Sequence, residues 1–264
     1  MSEQQEETTA SRRGSKWWLA VAAAGAVVAI GLSQVLETAD VRGAVPGLPV
    51  VGYLVVWVPL LAAVIAASFL AGTRSPARDF GLGFRPLDLF WGLIVGLLAR
   101  CVAVLVEVLV NGRPLAVSGP TLDADGASGT AASTIALLVW GTIATVAIAP
   151  FVEELFFRGL VLRGTMRALG GSRIGASIGA SAVSAVAVVV AAIVFALVHL
   201  VGVATPAQAL TIGLSTLVVG LGAGAVAAAT GRLGGAIIAH AVFNGSVVVF
   251  VWIAALTSSA PVVE

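Results

Sequence analysis

TVAIAPFVEELFFRGLVLRG, residues 145–164, sets Glu153, Glu154, Arg158 and Arg163 into a chain whose other long stretches are almost purely aliphatic. Two adjacent carboxylates in such surroundings are costly to keep ionised, because burial disfavours charge and each repels the other. Glu154 and Arg158 stand four apart, the helical spacing at which an acid and a base pair. That pairing leaves Glu153 over. An ionisable residue inside a membrane segment reads as functional by default, and two histidines, His199 and His240, lie downstream of it.

The rest of the chain gives those charges their weight. Of 264 residues, 59% are hydrophobic and 10% charged, with a mean hydropathy of +1.08. A soluble domain carries roughly 25% charged residues. Apolar runs of about 20 residues, the length that crosses a bilayer as a helix, recur throughout. The fold class is therefore all-α, a polytopic helical membrane bundle forming one membrane domain over 17–256, with the lipid bilayer as its first partner. The net charge of +1 says nothing about nucleic acid, and the basic residues sit in loops rather than in one patch, so no nucleic-acid partner is expected. A single cysteine, Cys101, excludes an internal disulfide and a cysteine-rich metal site.

Residues 1–16 are polar and read as a disordered tail, followed by Trp17 and Trp18 as interface anchors behind Arg12, Arg13 and Lys16. Spans are expected near 17–36, 50–71, 87–110, 131–151, 174–200, 207–229 and 234–256, about seven in all, or eight if 151–200 divides. The longest loop is 111–130, and 257–264 is a short polar tail. Basic residues gather beside the first span, in 72–86, in 158–173 and at Arg232, while Glu37, Asp40, Asp123 and Asp125 occupy the alternate loops. The positive-inside rule then puts the N-terminus in the cytoplasm. Arg100 and Glu107 share the third span but stand about 10 Å apart along it, too far to bond directly.

Three polar clusters interrupt the later spans: Glu153-Glu154-x-x-x-Arg158, Phe195-x-x-x-His199 and His240-x-x-x-Asn244. The last spacing puts His240 and Asn244 on one helical face. A carboxylate, two imidazoles and a carboxamide converging in a cavity suit hydrolysis. The glutamate takes a proton from water and returns it to the leaving amine; one histidine orients the water, and the other joins Asn244 in stabilising the oxyanion. The same reaction runs on a divalent metal, with zinc held by Glu153, His199 and His240. Spacing alone leaves structural packing and ion translocation open, since no HExxH is present and the histidines sit on separate helices.

Together the three motifs resemble those of the CAAX protease and bacteriocin-processing family of intramembrane proteases, the Rce1-like or Abi family. Its Glu-Glu pair with Arg four later matches Glu153, Glu154 and Arg158, with Phe157 before the Arg and Gly159 after it. Its Phe-x-x-x-His matches Phe195 and His199, and its His-x-x-x-Asn matches His240 and Asn244. The resemblance covers roughly 135–250. It implies Glu153 as general base and Glu154 as its neighbour and the partner of Arg158. His199 would position the water, and His240 with Asn244 would form the oxyanion site. It implies a peptide or protein substrate at the membrane, with or without a metal cofactor. A CAAX protease proper cuts after a prenylated cysteine; the Ala- and Gly-rich composition here is bacterial in character, which points to a bacterial plasma membrane and to peptide maturation or immunity.

One length conflicts with the family pattern. From Gly171 to His199 a straight helix would rise about 42 Å, whereas Glu153 would lie only about 27 Å above the same turn. The site therefore requires 172–185, SRIGASIGASAVSA, to break or to lie along the interface. Two other functions fit the composition: a non-enzymatic immunity or regulatory protein, and a transporter or proton pathway using Glu107, Glu153 and the histidines.

Overall fold

The computed structural model describes residues 3–40, 48–114 and 140–258. Most of the loop expected over 111–130 and the first part of the fourth expected span, 131–139, lie outside them. The described chain is all-helical. Helix α1 is Glu3–Asp40, α2 Leu48–Ala71, α3 Pro76–Asp79 and α4 Pro86–Asn111. The central helix, α5 over 144–170, joins a π-helical turn at Ala144–Ile148, an α turn at Ala149–Glu154, a second π stretch at Leu155–Leu162 and an α-helical end at Arg163–Gly170. Then come α6 at Arg173–Ile178, α7 at Ala180–His199, α8 at Pro206–Thr230 and α9 at Gly234–Ser258.

Five of these are long and apolar enough to cross a membrane: Lys16–Ala39, Val50–Ala71, Pro86–Asn111, Ala180–His199 and Pro206–Thr230, with Gly234–Phe250 a shorter apolar helix. The sequence anticipates about seven. The shortfall falls on α9 and on the fourth segment, which carries charges and begins outside the described residues. Two boundaries also move. Helix α1 starts at Glu3, so most of the polar tail 1–16 continues the first helix instead of standing apart from it. The fourth segment does not end near 151 but runs on through the glutamates to Gly170.

Packing places α5 at the centre. It touches α1, α2, α7, α8 and α9, and every residue of Leu155–Leu162 is buried, Arg158 included. Helix α4 lies along α8 and α9, α1 along α2, and α7 along α8. Small residues permit the α4–α9 approach: a Cβ on Gly92 would come within 2.6 Å of Ile238, and one on Gly96 within 2.5 Å of the Ala239 carbonyl oxygen. In a bilayer, where lipid is as apolar as the helix surface, such backbone proximity is what holds helices together.

The basic loops meet at one end. Arg232 donates from Nη2 to Asp88 Oδ1 at 2.7 Å and from Nε to Oδ2 at 3.1 Å. Arg163 Nη2 donates to the Gly231 carbonyl at 2.8 Å, Arg167 stacks 3.8 Å over the Trp18 ring, and Trp18 Nε1 donates to the Ala71 carbonyl. Burial pushes the Asp79 carboxyl up, but hydrogen bonds from Ser68 and Thr73 outweigh it and hold the group below the usual carboxylate range.

The length conflict resolves at Gly179. Its backbone, φ 83° and ψ 163°, ends α6 and starts α7, in a region essentially closed to residues with a Cβ. Ser172 caps α6 by accepting from Gly175 N at 3.0 Å. Measured from Gly179, α7 rises about 30 Å to His199, close to the ~27 Å climb of α5 to Glu153. Gly179→Val is expected to cost about 1–3 kcal/mol of backbone strain, read as a lowered thermal midpoint of the detergent-solubilised protein. An unchanged midpoint would mean that the break does not depend on this conformation.

Candidate active site

Adjacent residues on a helix diverge by about 100°, so Glu153 and Glu154 face different surroundings. Glu154 points into the protein and is fully buried. Its Oε1 accepts from Arg158 Nη1 at 2.7 Å and from His240 Nδ1 at 2.8 Å. Arg158 is likewise fully buried. The pairing expected from the i, i+4 spacing is present, with His240 added to it. One carboxylate oxygen thus ties α5 to α9.

Glu153 stays outside that knot. It retains 16% exposure, and its Oε2 is buried without a hydrogen-bond partner among the described residues. Both histidines face this oxygen, with His199 Nε2 and His240 Nε2 each 3.8 Å away. The Nδ1 atom of each ring is already committed, that of His199 to the Phe195 carbonyl at 2.8 Å and that of His240 to Glu154. A carbonyl oxygen only accepts, so His199 carries a proton on Nδ1, and Nε2 is the nitrogen that faces Glu153.

Phe195 explains the aromatic residue one turn before His199. Its ring contacts the rings of His199 at 4.4 Å, His240 at 5.5 Å and Phe157 at 5.0 Å. The Arg158 guanidinium lies 4.5 Å from its centroid. A single side chain therefore packs against both imidazoles and the buried cation.

Asn244 shares the α9 face with His240, and its amide has a backbone partner: Nδ2 donates to the Thr145 carbonyl at 3.0 Å. The sequence accounts for that bond. In the π turn, Ala149 N donates to Ala144 O, five residues back. The next bond of that register would join Thr145 O to residue 150, which is proline and has no N–H. Asn244 supplies the missing donor. Tyr53 of α2 reaches the same residue through Thr145 Oγ1 at 3.0 Å. Neither Thr145 nor Tyr53 stands out in the sequence; the signal for the first was a proline five residues after a threonine in a helix bearing the glutamates. Asn244→Ala is expected to leave the carbonyl unsatisfied at a cost of about 1–3 kcal/mol. Pro150→Ala in the same chain restores a donor and should recover part of that loss. Strict additivity of the two changes in thermal unfolding would contradict the link.

Two imidazoles and a carboxylate are donors of the kind zinc takes. Ligands on a tetrahedral zinc stand roughly 3.4 Å apart, and the Glu153–His199 and Glu153–His240 separations are both wider, at 3.8 Å. As arranged here the trio is not gathered at metal-holding spacing; among the described residues, no three His, Cys, Asp or Glu side chains are. Arg100 turns to α9, donating to Ser246 Oγ at 2.9 Å and to the Phe243 carbonyl at 2.7 Å, and Glu107 is buried.

Comparison with known families places this segment. Residues 135–246 match the family described as type II CAAX prenyl endopeptidase, Rce1-like. No curated protein and no solved structure matches the chain. Glu153, Glu154, Arg158, His199, His240 and Asn244 all fall within the matched residues. Over this segment, less than half of its length, the chain, an integral membrane protein, is similar to the Rce1-like type II CAAX prenyl endopeptidases.

Proposed function

We propose that the protein is an intramembrane endopeptidase in which Glu153 activates the hydrolytic water. The observation that supports this most is the meeting of the chain's two histidines, from separate helices, on one unpartnered carboxylate oxygen. A water between Glu153 and His199 donates to both. As its oxygen attacks the substrate carbonyl carbon, Glu153 takes the proton. His240, in its protonated form, donates from Nδ1 to Glu154 and from Nε2 to the developing oxyanion, and the second amide hydrogen of Asn244 adds to that stabilisation. Glu153 then delivers its proton to the amide nitrogen, and the C–N bond breaks. Glu154 and Arg158 hold His240 in place throughout.

The substrate class is a membrane-associated peptide or protein, cut within a segment that reaches a site enclosed by helices. Terminal-peptide profiling of membranes expressing wild type or His240→Ala at matched levels tests the reading. Products present only with the wild type are expected. Their equal appearance in both would remove His240 from the mechanism. The metal question is answered in the same preparation: retained cleavage after exhaustive chelation is expected, and loss that zinc restores would move Glu153, His199 and His240 to the role of ligands.

A further inference from the structure

The basic end of the bundle holds a cavity of about 190 Å³ between the last turns of α5 and α8, lined by Arg163, Arg167, Leu162, Met166, Ala227 and Ala228. Two arginines one turn apart on a helix repel each other. The carboxylates nearest this end in the loops are Asp79 and Asp88. Asp88 is taken by Arg232, and Asp79 accepts hydrogen bonds from Ser68 and Thr73 while attracting Arg167 from beyond ion-pair distance. Arg163 spends one nitrogen on the Gly231 carbonyl, and Arg167 lies on Trp18 with Asp79 as a more distant counter-charge; neither makes a direct ion pair of the kind Arg232 makes with Asp88 among the described residues. The cavity therefore has two cations at its rim, apolar walls beneath them and no anion of its own.

An anion with an apolar continuation satisfies both features, and the bilayer surface at a positively charged end supplies one. We infer that Arg163 and Arg167 bind the phosphate of an anionic phospholipid headgroup, with Leu162, Met166, Ala227 and Ala228 against the glycerol and upper acyl region. Occupancy would brace α5, the helix carrying both glutamates, against α8. Arg163 already links α5 to the turn between α8 and α9.

Native mass spectrometry of the full chain, released from micelles containing phosphatidylglycerol, phosphatidylcholine or inorganic phosphate, tests the assignment. Retention of phosphatidylglycerol, with a raised thermal midpoint, is expected; the other two should give neither. R163Q/R167Q should weaken phosphatidylglycerol retention about 30-fold, from two surface-type arginine contacts. R78Q/R173Q, which removes equal charge from exposed positions outside the cavity, should retain it. Equal weakening by both double variants would mean general surface attraction and would overturn the site. Inorganic phosphate matching the lipid would overturn the lipid assignment. Should R163Q/R167Q fail to fold, Ala228→Leu fills the cavity from α8 without touching either charge; undiminished retention by that folded variant would overturn the proposal.

Discussion

Glu153→Gln is expected to lower kcat about 10²–10⁴-fold, the range a positioned general base supplies, while the protein stays folded. Glutamine preserves the shape of the side chain and removes only its charge and basicity. Because Glu153 Oε2 makes no hydrogen bond among the described residues, little native structure depends on it. Relief of repulsion from the adjacent Glu154 works in the opposite direction, so stability should remain within about 0.5 kcal/mol of wild type. Steady-state cleavage of a peptide identified by the profiling experiment separates the effects: kcat falls and KM changes little, since the carboxylate acts on water rather than on the bound chain. A variant with wild-type kcat would end the assignment of Glu153 as base. Glu153→Asp is the informative companion, because it keeps the basicity but withdraws the oxygen from two imidazoles now 3.8 Å away.

Arg158→Met is expected to do the reverse, striking the fold first. The guanidinium and Glu154 are both fully buried and 2.7 Å apart, and removing one member of such a pair leaves an uncompensated interior charge at a cost of about 3–5 kcal/mol. His240 would offset part of that loss by sharing the same oxygen. The double variant Glu154→Gln with Arg158→Met should therefore unfold at a higher temperature than Arg158→Met alone. If it does not, the pair is not what stabilises this part of α5. Either change also loosens the Nδ1 anchor of His240, so cleavage should fall even where the protein remains folded.

Much of this was legible in the sequence. Runs of about 20 apolar residues dictate membrane helices because a backbone polar group in hydrocarbon must be bonded within its own segment. The i, i+4 spacings announced the Glu154–Arg158 pair and the common face of His240 and Asn244, since those contacts are local to one helix. Even the need for a break before α7 followed from counting residues. What local periodicity cannot carry is which residue breaks, or how a helix accommodates a proline. Gly179 takes up the break because only glycine adopts its backbone angles cheaply, one choice among several glycines and serines in that segment. Helix α5 passes Pro150 because an asparagine some ninety residues later donates to the stranded carbonyl.

The surroundings of the two glutamates were likewise completed by the tertiary structure. The spacing already paired Glu154 with Arg158 and left Glu153 over, and the helices around α5 add what the spacing could not: the imidazoles each carboxylate meets. Glu154 is enclosed with Arg158, His240 and the Phe195 ring, while Glu153 faces the gap between α7 and α9. The sequence by itself determined that the chain is a membrane helix bundle, which side chains are out of place in it and the pair that neutralises one of them, because all of these depend on composition and on neighbours within a few turns. Which carboxylate remains open to both imidazoles was decided by the packing of α7 and α9 against α5, because contacts between residues 46 and 87 positions apart arise only when separate helices are brought together.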